Sequence, residues 1–104
     1  MNKYNYLVEF ISELGVKRGT LEIAINEDKI NGLLTLLAHT EPVHGKINKN
    51  GKCKLYGKIV SLIKESNYTA TGYINRANLN LDMKIGGYSY LMKGIACNNM
   101  QNKN

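Results

Sequence analysis

Residues 43–59 read VHGKINKNGKCKLYGKI, and the fold follows from them. Val43, Gly45 and Ile47 alternate with His44 and Lys46, and Cys53, Leu55, Gly57 and Ile59 alternate with Lys54, Tyr56 and Lys58. A period of two puts each set on its own face of an extended strand. Between the two runs, Asn48-Lys49-Asn50-Gly51 is a turn, because Asn and Gly tolerate positive φ. The same apolar–x–Gly–x–apolar pattern recurs at Ile30-Gly32-Leu34, Val43-Gly45-Ile47, Leu55-Gly57-Ile59, Ala70-Gly72-Ile74 and Met92-Gly94-Ala96. Glycine weakens a strand, so its place on the buried face asks for a bend or the close approach of another backbone. Repeated from strand to strand, it predicts a sheet coiling tightly around itself.

Working outward, Tyr4, Tyr6, Val8 and Phe10 alternate with Asn5, Leu7, Glu9 and Ile11 in a strand rich in β-favouring residues. Gly15 to Gly19 reads as a polar connection. Gly19 to Ile25 follows as a strand with Leu21, Ile23 and Ile25 inward, and residues 26–29 form a turn. Residues 30–38 carry two signals. Ile30, Leu33, Leu34 and Leu37 stand at helical spacing, but Gly32 costs a helix about 1 kcal/mol and repeats the neighbouring pattern. A strand is expected. His39 to Pro42 reads as a connection and Lys52 to Ile63 as the longest strand. Glu65-Ser66-Asn67 reads as a turn before a strand from Tyr68 to Ile74, and Asn75-Arg76 as the next turn. Leu79, Leu81, Met83 and Ile85 alternate with Asn78, Asn80, Asp82 and Lys84, the pattern of a half-buried strand. Gly86-Gly87 is a two-residue hairpin loop leading into a last strand, Tyr88 to Ala96.

These readings predict an all-β fold: about eight antiparallel strands in an up-and-down meander closing into a small β-barrel. Residues 1–97 are expected to form one domain and residues 98–104 a disordered polar tail. The chain resembles the calycin-type barrels, the lipocalin and streptavidin kind. The resemblance implies an interior filled by side chains or holding one small ligand. It extends to architecture alone, since the chain has no tryptophan for the lipocalin opening motif or a biotin pocket.

The 104 residues are 43% hydrophobic and carry a net charge of +6. No apolar run is long enough to span a bilayer, so no membrane association is expected. Residues 1–14 lack the basic head, apolar middle and small-residue cleavage site of a secretory signal, and a cytoplasmic location is expected. Cys53 and Cys97 are too distant in sequence for metal-ligand spacing and are expected to be free thiols.

Four sets of residues could carry function. Tyr6, Phe10, Tyr68, Met83, Tyr90 and Met92 share inward faces and could hold a small apolar ligand at a barrel mouth. Leu7 and Ile11 on the first strand should meet Leu91 and Ile95 on the last if the barrel closes. Leu33 with Leu37, and Val60 with Leu62, add outward apolar pairs, and together these predict a homodimer or a protein-docking face. Lys46, Lys52, Lys54, Tyr56 and Lys58 form a basic outward stripe, the alternative reading being a nucleic-acid-binding barrel. His39, Glu41 and His44 lie close in sequence but lack a further strong ligand, so no metal site is expected. No serine stands in a G-x-S-x-G setting and neither cysteine has a recognisable His partner. No cofactor and no catalytic residue is expected. The sequence predicts a non-enzymatic binding or interaction protein that self-associates.

Overall fold

The computed structural model describes residues 2–61 and 63–97. Eight strands follow one another: β1 (Asn2–Ser12), β2 (Gly15–Asn26), β3 (Lys29–Leu36), β4 (His39–Ile47), β5 (Lys52–Val60), β6 (Glu65–Ile74), β7 (Asn78–Ile85) and β8 (Tyr88–Ala96). Each pairs antiparallel with the next, and β8 returns to β1, so the meander is a closed barrel. Among the described residues no helix is long and apolar enough to cross a membrane.

Alternation places the core. Tyr6, Val8 and Phe10 on β1, Leu21 and Ile23 on β2, Leu55 on β5, Leu79, Leu81 and Met83 on β7 and Met92 on β8 are all buried inside. The patterned glycines explain how the wall closes so tightly. A Cβ on Gly45 would run into the carbonyl oxygen of Lys54 and lie 2.9 Å from the Leu55 Cα on the neighbouring strand. Backbone crowds backbone there, as the pattern predicts. Gly57 meets a side chain instead: Tyr68, its cross-strand partner, lays its hydroxyl 2.6 Å from where a Cβ would stand. An aromatic ring covers the bare glycine.

Several boundaries differ from the sequence reading. Gly15 to Gly19 is not a connection: β2 begins at Gly15, and Lys17 and Arg18 continue the ladder opposite Phe10 and Glu9. The turn is Glu13-Leu14, held by the Leu14 N–H donating to Ser12 Oγ at 3.2 Å. His39 to Pro42 is also strand, paired with Leu36 to Leu33, and the turn is Leu37-Ala38. Both turn residues have positive φ, 56° and 65°, which suits a two-residue hairpin but is an unusual conformation for Leu and Ala. Leu37 therefore packs against the core from a turn and is not part of an outward pair. Glu65 to Asn67 open β6 opposite Val60 to Lys58, and β5 stops at Val60. Residues 30–38 form no helix; β3 spans most of them. Leu62 and the polar tail at 98–104 lie outside the described residues.

Pro42 shapes the wall. On its β5 side the β4 ladder ends at Val43 opposite Gly57, because proline has no N–H to carry it further. Past that point the two strands are still bridged by Lys58 Nζ, 3.8 Å from Glu41 Oε1.

Candidate functional site

The six inward residues do not gather at one mouth. Phe10 and Tyr90 stand together at the end that holds the β1–β2 and β7–β8 turns, ring centroids 5.3 Å apart and tilted by 45°. With Ile59, Ile85 and Tyr88 they line a shallow depression of about 560 Å³. Tyr68, Met83 and Met92 lie deeper, around a central void of about 10 Å³. That is at the threshold for one water molecule, so side chains fill the interior. Tyr6 reaches the opposite end, where its hydroxyl donates to the Asn75 carbonyl at 2.7 Å.

The buried hydroxyls and thiol are shifted together. Burial, reinforced by Tyr4 and Cys53 nearby, pushes the Tyr6 phenol up to about 12. Burial alone pushes Tyr68 up to about 12. Burial lifts Cys53 to about 11 against a backbone hydrogen bond involving Gly72. A thiol so placed stays protonated near neutral pH and supplies no thiolate.

His39 and Glu41 share one face of β4 with Val43, while His44 points the other way and its Nδ1 lies 3.0 Å from Asn31 Oδ1. Alternation separates the two imidazoles. Among the described residues no three His, Cys, Asp or Glu side chains come together as a metal cluster.

The basic stripe is larger than its sequence suggested. Lys29 on β3 stands directly opposite Lys46 on β4, and Lys46 directly opposite Lys54 on β5. Neighbouring strands lie about 4.8 Å apart, so three lysines stand side by side on one rung of the outer wall. Like charges directly opposite destabilise a sheet by a few tenths of a kcal/mol to about 1 kcal/mol. The ion pairs among the described residues are Arg18–Glu9, Lys58–Glu41, Lys58–Glu65 and Lys84–Asp82. Lys29, Lys46, Lys52 and Lys54 therefore have no carboxylate within 4.0 Å among the described residues. Lys58 differs, with Glu41 and Glu65 at 3.8 and 3.6 Å. Tyr56 is exposed beside the row, with Lys54 Nζ 5.6 Å from its ring centroid. Tyr73, also exposed, stands opposite Lys52. Lys29 and Tyr73 were missed in the sequence because they lie on other strands; their place follows only from register.

The apolar outward residues pair as closure requires: Leu7 with Ile95 and Ile11 with Leu91 across the β1–β8 seam. Glu9 opposite Lys93 forms a charged rung between these two apolar rungs, and Arg18 donates to Glu9 Oε2 at 3.2 Å from the β2 side. Across the seam a depression of about 500 Å³ is lined by Leu7, Glu9, Arg18, Asn80, Lys93 and Ile95. Leu33 is outward and exposed on β3, away from this seam. Compared with family models, with curated proteins and with solved structures, the chain matches none.

Proposed function

We propose that this is a cytoplasmic, non-enzymatic binding barrel of calycin-like architecture that works through its outer wall, and that its β3–β4–β5 face binds single-stranded nucleic acid. The observation that carries the reading is the row Lys29–Lys46–Lys54, three directly opposed lysines with no carboxylate within 4.0 Å among the described residues. An arrangement that costs stability in the free protein is relieved when a polyanion lies along it. Tyr56 and Tyr73 supply exposed rings on which bases can stack, each such contact contributing about 1–3 kcal/mol. The filled interior turns attention away from an enclosed ligand, and an apolar molecule would be confined to the rim beside Phe10 and Tyr90. Two free cysteines support a reducing compartment.

Fluorescence anisotropy with a labelled single-stranded oligonucleotide tests the reading. Engagement of three or four phosphates gives a log–log salt slope of about −2 to −3. Lys46→Glu with Lys54→Glu abolishes binding, and Tyr56→Ala weakens it about fivefold or more. Binding that ignores salt, or survives the double substitution, refutes it.

A further inference from the structure

The register across the β1–β8 seam has a symmetry that fits a second copy of the same chain. Three outward rungs cross it in order: Leu7 with Ile95, Glu9 with Lys93, and Ile11 with Leu91. The outer two are apolar, and Leu7 and Ile95 are 58% and 70% exposed, far from any core position. The middle rung carries one negative and one positive group. Glu9 uses Oε2 for Arg18, leaving Oε1 without a hydrogen bond among the described residues. Lys93, although on the facing strand, forms no ion pair among the described residues.

From this pattern the geometry points to a homodimer in which two seams pack face to face about a two-fold axis running along the seam, parallel to β1 and β8. Such an axis lays β8 of the second copy over β1 of the first. Ile95 of one copy then covers Leu7 of the other, Leu91 covers Ile11, and Lys93 meets Glu9, each contact occurring twice as an isologous interface requires. The charges choose this axis. A two-fold axis running across the strands at the middle rung would stack Glu9 on Glu9 and Lys93 on Lys93, and like-charge juxtaposition is costly in an interface. Two apolar rungs flanking a charged one also suit recognition: apolar burial contributes most of the affinity and the charges set the register. The depression beside Ile95 gives the second copy's side chains room to settle. In the eight-strand ring β4 and β5 lie opposite the seam, so the dimer leaves both lysine rows facing outward.

Sedimentation velocity at micromolar concentration tests this, with far-UV circular dichroism reporting that each variant stays folded. Wild type sediments at twice 11.7 kDa. Ile95→Lys yields folded monomer, and Glu9→Lys weakens the dimer roughly tenfold or more, as like charges then face each other. Glu9→Lys combined with Lys93→Glu exchanges the charges and restores the dimer. A monomeric wild type, a dimer that tolerates Ile95→Lys, or an exchange no better than Glu9→Lys alone overturns the proposal. So does a wild-type monomer that retains a small molecule in native mass spectrometry, which would make the depression a ligand site.

Discussion

Two buried tyrosines on the same inner surface illustrate what a single hydroxyl does. Tyr6 donates to the Asn75 carbonyl at 2.7 Å and ties β1 to the β6–β7 turn, 69 residues away. The Tyr68 hydroxyl, by contrast, has no hydrogen-bond partner among the described residues; its ring serves to cover Gly57. Removing a satisfied hydroxyl leaves its acceptor orphaned, whereas removing an unsatisfied one relieves a desolvation cost. Tyr6→Phe is therefore expected to lower unfolding stability by about 1 kcal/mol, while Tyr68→Phe leaves it unchanged or slightly higher. Urea melts of the two variants beside wild type decide the matter; equal losses would show that both hydroxyls are held. The sequence revealed that both residues face inward, since alternation is local. It did not reveal which hydroxyl finds a partner, because Asn75 approaches Tyr6 only when β1 closes against the far side of the barrel.

At the scale of the element, the glycine pattern and the turns behaved differently as signals. Gly45 is glycine because the Lys54 carbonyl and the Leu55 side chain occupy the space of a Cβ. Relief would require backbone rather than a flexible tip to move. Gly45→Val is expected to destabilise by about 2 kcal/mol or more, measured as a lower midpoint of thermal unfolding. An unchanged midpoint would mean the wall is looser than this packing. That consequence was legible in residues 43–59. The turn at Leu37-Ala38 was not. Both residues adopt positive φ without the Asn or Gly that marks such loops, so the surrounding ladder of β3 and β4 imposes the conformation. Pro42 misled in a related way. It reads as a breaker, yet it sits within β4 at the point where the β5 ladder stops, a position that needs no N–H.

The whole barrel couples its buried acids to pH. Tyr6 and Tyr68 rise from 10 to about 12 and Cys53 from 9 to about 11, each because burial disfavours the charged form. In the unfolded chain these groups ionise near pH 9 and 10, while in the barrel they remain protonated. Stability is therefore fully present below pH 9 and falls as pH rises toward 12. Urea midpoints taken from pH 7 upward should hold level and then decline through that window; a midpoint that stays constant to pH 11 would contradict the burial of these groups. At this scale the two kinds of information separate. The sequence alone determined the succession of about eight strands, the inner and outer faces of most of their residues and the tight coiling, because period-two alternation and glycine spacing are properties of each segment. Only the tertiary structure decided the rest. The filled interior depends on the summed side-chain volume of eight strands. The lysine row, and the alternation of apolar and charged rungs at the seam, depend on which residues stand opposite one another. Register is a relation between strands, set by turn length and barrel closure, and no single strand carries it.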